Sequence, residues 1–171
     1  MTDWKQLEFI ILNVLLQLSF TCACLMSLNI ECLESSFAQI RNQGDDFTRH
    51  FYTNLFTDYP EVQPLFAKTN MQQQGKHLFD SLVLVVDNLR NSEVLVQTLK
   101  GLGTRHIKYG VLPAHYPMVG GALLKTFSMS LGEDWTPEVE QAWIEAYGAV
   151  TELMLAGATP PAKTLALHPT P

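Results

Sequence analysis

Apolar side chains recur at helical spacing through the middle of the chain, and no alternating strand pattern bounded by hairpin turns interrupts them. Residues three or four apart lie on one face of an α-helix, so each such set indicates a helix that buries one side. The sets are Phe47, Phe51 and Leu55; Leu78, Leu82 and Val85; Leu95, Leu99 and Leu102; Val119, Leu123 and Phe127; and Val139, Trp143, Tyr147 and Val150. This pattern predicts an all-α fold of six to eight helices.

Prolines between these sets predict where helices begin and turn. Thr136-Pro137-Glu138 supplies a capping hydroxyl, a proline for the first helical position and a first-turn carboxylate. We expect Pro113 to open a helix in the same way and Pro60 to mark a corner.

The composition favours one packed domain. The chain has 171 residues, of which 47% are hydrophobic and 16% are charged, enough to bury one continuous core. Its formal net charge is −6 and it has no run of like charges, which argues against a nucleic-acid partner. Cys22, Cys24 and Cys32 are an odd set near the N-terminus, unlike a secreted disulfide framework. We expect reduced thiols in a cytoplasmic protein.

The two ends differ from the middle, and we expect an apolar extension over residues 1–28, a domain over 29–156 and a Pro-rich flexible tail over 157–171. Residues 7–26 are strongly apolar but contain Glu8 and Asn13. A bilayer-spanning helix needs about 20 predominantly apolar residues. The segment is thus an extra helix packed on the domain, leading residues from an over-long gene start, or a membrane anchor or uncleaved signal.

Segments spread along the chain carry a more specific signal. They are residues 50–56 (HFYTNLF), Pro60 with 64–66 (PLF), 102–111 (LGTRHIKYGV), 113–120 (PAHYPMVG) and 142–148 (AWIEAYG). In residues and spacing they resemble the bacterial single-domain globins related to the globin domain of flavohaemoglobins. The resemblance covers about Asn29 to Leu155 and implies a globin fold around a haem pocket.

The resemblance implies that His106 is the proximal ligand of the haem iron. A neutral imidazole is a usual axial donor to iron porphyrin, and a lone histidine without this context is more often an ordinary surface residue. The chain has no C-x-x-C-H sequence, so the cofactor is expected to be haem b held without covalent bonds. Phe66 and Leu78 are expected to line its apolar slot, with Val111 also against the cofactor.

On the opposite side of the haem, the resemblance places Tyr52 and Gln74. A phenol and a carboxamide can both donate hydrogen bonds to a dioxygen ligand, whose outer oxygen carries partial negative charge. The alternatives are a surface hydroxyl for Tyr52 and a solvent-facing amide for Gln74, in which case Gln73 is the substitute. His77 is expected at the pocket mouth near a haem propionate or as a second iron ligand, or else simply exposed.

Mid-helix Gly75 predicts a close helix crossing, because glycine otherwise weakens a helix by about 1 kcal/mol.

Tyr116 lies where flavohaemoglobins have a tyrosine that joins a glutamate near the end of the last helix in a proximal hydrogen-bond network. Here Ala158 stands where that glutamate would fall. No G-x-G-x-x-G is present, so no nicotinamide-binding domain is expected in this chain.

Reversible binding of dioxygen is the first functional hypothesis, with nitric oxide and carbon monoxide as further ligands. The alternatives are nitric oxide dioxygenation with a separate reductase, a haem-based sensor module, and a globin-fold protein without haem. Membrane association through residues 7–26 is the alternative to a cytoplasmic location.

Overall fold

Residues 28–158 are described by the computed structural model, and within them the chain forms six α-helices, two 3₁₀ segments and no β-strand. The helices are α1 (Ile30–Ile40), α2 (Gly44–Asp58), α3 (Met71–Asp87), α4 (Ser92–Lys108), α5 (His115–Leu131) and α6 (Pro137–Ala158). The 3₁₀ segments are Pro60–Phe66 and Gly132–Asp134. The predicted all-α architecture is confirmed.

Side-chain caps explain where several helices begin. At the start of α3, Asn70 Oδ1 accepts the Gln73 N–H at 3.1 Å. At the start of α6, Thr136 Oγ1 accepts the Val139 N–H at 3.3 Å, and Pro137 is the first helical residue. The predicted cap of the last helix is confirmed.

Pro113 does not open a helix, contrary to the prediction. Helix α5 begins two residues later, at His115, and the Pro113 carbonyl accepts the Tyr116 N–H at 3.3 Å. Pro113 therefore lies in the turn that leads into α5. Pro60 does mark a corner, since it begins the first 3₁₀ segment directly after α2.

The core contains a group of aromatic rings where α1, α2, α5 and α6 meet. The Phe127 ring stacks on Trp143 with centroids 3.9 Å apart and tilts against Phe47 at 4.9 Å. Trp143 Nε1 donates to Ser36 Oγ at 3.0 Å, so the buried indole N–H has a partner. This packing holds α2 and α6, which carry or support the candidate site.

Helices α3 and α4 are not among the closely packed helix pairs of the described chain, whereas α4 packs on α6 and α2 packs on α3 and α5. In α3 only Gly75 and Val86 are fully buried. Leu78, Leu82 and Val85 contact the core but stay half-buried. These side chains leave part of their apolar surface exposed beside α3.

Two expectations concern the ends of the chain. The apolar segment 7–26 and the residues after 158 lie outside the described residues. Helix α6 continues to Ala158, two residues beyond the predicted end of the domain at residue 156. Within residues 28–158, no helix is long and apolar enough to cross a membrane.

Candidate functional site

Tyr52 and Gln74 meet across the α2–α3 crossing. Tyr52 is 9% exposed, and burial raises the pKa of its phenol to about 12, although a hydrogen bond with the Gln74 side chain acts in the opposite direction. At neutral pH the phenol is therefore protonated and can donate a hydrogen bond. The structure brings together the two side chains that were expected on one side of the pocket.

A close helix crossing positions this pair. A Cβ on buried Gly75 would lie 2.9 Å from Thr48 Oγ1 and 3.3 Å from Thr48 Cβ. Thr48 directs its hydroxyl back to the Gly44 carbonyl at 2.9 Å, so its side chain is fixed against α2. The predicted crossing at Gly75 is confirmed. It places Gln74 beside Tyr52, which lies one helical turn after Thr48.

The position of Gln74 differs from that of its neighbour. Gln74 is half-buried, whereas Gln73 is exposed and its N–H is used in the cap by Asn70. Gln74 is thus the glutamine that faces Tyr52, and Gln73 faces solvent.

Aromatic rings surround the Tyr52 phenol. The Phe66 ring lies edge-on to Tyr52 with centroids 5.6 Å apart, and Phe56 lies 5.8 Å from Tyr52 and 5.4 Å from Phe66. Phe66 ends the first 3₁₀ segment, so the corner that begins at Pro60 delivers this ring to α2. The rings keep water from the phenol and account for its raised pKa.

His106 lies in the last turn of α4, and its Nδ1 is 3.0 Å from the Leu102 carbonyl oxygen. Because a carbonyl only accepts, Nδ1 carries the hydrogen of the neutral ring and Nε2 keeps its lone pair. Burial lowers the pKa of His106; the nearby Arg105 charge also lowers it, while the Leu102 carbonyl acts the other way. The ring is therefore arranged as a neutral nitrogen donor.

The pKa of His106 predicts acid sensitivity of the haem-free protein. Its folded-state value lies below the ordinary 6.5, so the unfolded chain takes up the proton first as pH falls. The stability due to neutral His106 is present above about pH 6.5 and is lost as pH falls below it. We expect the Tm of the wild-type apoprotein to fall more steeply between pH 7.5 and 5.5 than that of His106→Gln. Parallel Tm profiles would contradict this.

Two tyrosines flank the His106 ring. Its centroid lies 6.4 Å from that of buried Tyr116 and 6.1 Å from that of exposed Tyr109. The Tyr147 hydroxyl of α6 donates a hydrogen bond to the Tyr116 carbonyl at 2.6 Å and fixes the beginning of α5.

Val111 follows the end of α4, and its N–H donates to the His106 carbonyl at 3.1 Å.

The other predicted residues are placed as follows. Leu78 and Val111 are half-buried and pack against the core cluster. His77 is exposed on α3, and its role at a propionate or at iron stays a prediction. Ala158 is the last residue of α6 and supplies no carboxylate near the end of that helix.

The sequence alone indicates no individual role at the site for Thr48, Phe56 or Tyr147. Thr48 and Phe56 lie one helical turn before and after Tyr52, so helical spacing from Tyr52 would have found them. Tyr147 was identified only as part of an apolar helix face. Its bond to the Tyr116 carbonyl, 31 residues away in sequence, has no signal in the local pattern.

These residues suit an iron porphyrin. The neutral His106 imidazole offers Nε2 as an axial donor, and Leu78 and Val111 offer half-buried apolar surface. The protonated Tyr52 phenol and the Gln74 amide offer hydrogen-bond donors to a small polar ligand. Half-buried apolar side chains, a neutral imidazole nitrogen and two hydrogen-bond donors are the residue types that this cofactor needs for binding a diatomic gas.

Comparison with known proteins identifies similar sequences and a similar fold. A family model described as Globin matches residues 49–154. The flavohemoprotein of Bacillus subtilis is 30% identical over 128 residues, which cover 74% of this chain and 32% of that protein. The flavohemoprotein of Bordetella pertussis is 32% identical over 118 residues, covering 68% of this chain and 29% of that protein.

A solved bacterial globin from Campylobacter jejuni superposes with a TM-score of 0.66 at 28% sequence identity. The match covers 75% of this chain and 93% of that structure. By contrast, the matched part spans about a third of the length of the flavohemoproteins. Together the matches confirm the predicted resemblance and the predicted fold.

Proposed function

This chain belongs to the globin family, whose haem chemistry its residues fit, and we propose that it holds haem b non-covalently and binds dioxygen reversibly. In this proposal His106 is the axial ligand, and Phe66, Leu78 and Val111 cover the cofactor. When bound, haem would supply an iron that can take a diatomic gas as a ligand. Gln74 and exposed His77 lie on α3, beside the cofactor in this arrangement.

The Tyr52–Gln74 pair is the observation that carries the proposal. A phenol with a pKa of about 12 stays protonated at neutral pH, so it donates rather than accepts. Inside a site that excludes water, such a donor stabilises partial negative charge on a ligand far more than it would in bulk solvent. The Gln74 amide adds a second donor, so the pair favours slow release of dioxygen. Carbon monoxide, which is less polar, gains less from the same donors.

The proximal side favours binding over oxidation chemistry. The one hydrogen bond described for the His106 side chain runs from Nδ1 to the neutral Leu102 carbonyl. A carboxylate partner would make the imidazole more electron-donating, and Ala158 offers none at the end of α6. The imidazole therefore acts as an ordinary neutral ligand.

Nitric oxide dioxygenation with electrons from a separate reductase is the second candidate. Its support is the similarity to flavohemoproteins, of which the chain matches about a third. The same Tyr52–Gln74 pair would hold the dioxygen in that reaction. We propose a cytoplasmic location because the odd number of cysteines in the sequence does not fit a secreted disulfide framework.

Spectroscopy of the purified protein tests the proposal. We expect a Soret band that shifts when the reduced protein is exposed to dioxygen and returns when the gas is removed. A protein that binds no added haem, or whose reduced form is oxidised without a stable dioxygen spectrum, would refute reversible binding. Nitrate formation from nitric oxide with a supplied reductant, at many turnovers per haem, would favour the second candidate.

A further inference from the structure

We propose that a reciprocal glycine crossing between α4 and α6 sets the position of His106, with Gly103, Gly157 and Thr104 as positioning residues. The inference rests on the proposed role of His106 as the axial ligand.

The crossing is a contact between backbones. A Cβ on Gly103 would lie 2.6 Å from the Met154 carbonyl carbon and closer still to its oxygen. A Cβ on Gly157 would lie 2.5 Å from Lys100 Cα and 2.6 Å from the Lys100 carbonyl carbon. Each helix thus places a glycine against the main chain of the other. In α4, Lys100 and Gly103 are three residues apart, and in α6 Met154 and Gly157 are three residues apart. Neither contact can be relieved by turning a side chain.

A hydrogen bond joins the two helices at the same place. Thr104 Oγ1 lies 2.8 Å from the Gly157 carbonyl oxygen and 3.1 Å from the Lys100 carbonyl oxygen. Its hydroxyl therefore links α4 to the last turn of α6. This bond fixes how far the two helices slide along each other, whereas the glycines fix how closely they approach.

The crossing is rigidly connected to His106. Gly103 and Thr104 lie within one turn of His106, and Nδ1 of His106 is held by Leu102 in the same turn. An α-helix transmits a displacement over one turn with little loss because its backbone hydrogen bonds resist distortion. The α4–α6 separation therefore determines where the His106 imidazole stands.

The Gly103→Ala variant tests whether the separation of α4 and α6 sets the position of His106. To bring the Met154 carbonyl carbon to an ordinary 3.4 Å contact with the new Cβ, the backbones must separate by about 0.8 Å, and by more for the oxygen. We expect Gly103→Ala to shift the iron–histidine stretching band of the reduced haem protein in resonance Raman spectra. We also expect the rate of carbon monoxide association to change by about tenfold, since ångström-scale misplacement has effects of this size.

The same helices supply matched controls. A Cβ on Gly101 of α4 would meet only Arg105 Nη1 at 3.9 Å, and a Cβ on Gly148 of α6 would meet nothing within 4 Å. Gly101→Ala and Gly148→Ala should leave the stretching band and the association rate unchanged. They are expected to raise the Tm slightly, because alanine is the better helix former.

A second variant covers the case in which Gly103→Ala does not fold. Thr104→Val keeps the shape of the side chain and removes the hydroxyl that bonds to Gly157, so it should shift the same band by a smaller amount. The positioning role is refuted if Gly103→Ala and Thr104→Val, or whichever of the two is soluble, show the wild-type iron–histidine stretching band and the wild-type rate of carbon monoxide association. A wild-type protein without an iron–histidine band would instead refute His106 as ligand, so the two failures are distinguishable.

Discussion

Replacing His106 by glycine is expected to abolish stable haem binding. The imidazole is the nitrogen donor that the proposal assigns to iron, and its loss also leaves a space the size of the ring. The Soret absorbance of purified His106→Gly should fall to the level of loosely associated haem. Free imidazole added to the buffer should occupy the space and restore a histidine-like spectrum.

The control for this experiment is His50→Gly, which removes a half-buried histidine of α2. Glycine within a helix costs about 1 kcal/mol, so both variants carry a similar backbone penalty. His50→Gly should retain the wild-type haem content. A His106→Gly protein with a full haem complement and an unchanged spectrum without imidazole would show that another residue ligates the iron.

Removing the Tyr52 hydroxyl has the second largest expected effect. Tyr52→Phe keeps the ring packing on Phe66 and deletes only the donor. A hydrogen bond to a polarised or charged partner in a desolvated site contributes about 1.5–3 kcal/mol, and 1.4 kcal/mol is a factor of ten. The dioxygen dissociation rate, measured by stopped-flow displacement with carbon monoxide, should therefore rise about tenfold to a hundredfold.

Gln74→Leu should also raise the dioxygen dissociation rate, but by less than Tyr52→Phe does, because the Tyr52 phenol remains as a donor. The Tyr52→Phe/Gln74→Leu double variant should differ from the sum of the single effects, since the two side chains interact. Gln73→Leu is the matched control, because Gln73 is exposed and its side chain faces solvent. An unchanged rate in Tyr52→Phe would refute the distal role.

The helices were predictable because their signal is local. The sets that include Phe127 and Trp143 repeat at the helical period, and burial of one face produces that period whatever the partner is. Thr136 and Pro137 were predictable for the same reason, since a cap acts within one turn. Pro113 misled because proline is equally compatible with a turn before a helix and with its first residue.

The candidate site was predicted from resemblance more than from physical pattern. His106, Tyr52 and Gln74 were identified through their spacing within family-like segments, since a lone histidine or tyrosine on a helix has many uses. Nothing in the sequence pattern indicates that Gly103 lies against α6 or that Gly157 lies against α4. Their importance depends on residues more than 50 positions apart, as does that of the Thr104 bond to Gly157.

By itself, then, the sequence determined the all-α class, the apolar faces of the helices, the cap that begins α6, and the residue types available for binding haem. The tertiary structure decided that Gln74 and not Gln73 meets Tyr52, that the Nδ1 atom of His106 is used by Leu102, and that α4 lies against the backbone of α6. The physical reason is range. Helix formation and capping are interactions over three or four residues, whereas burial, pKa and backbone contact are set by chain segments that only folding brings together.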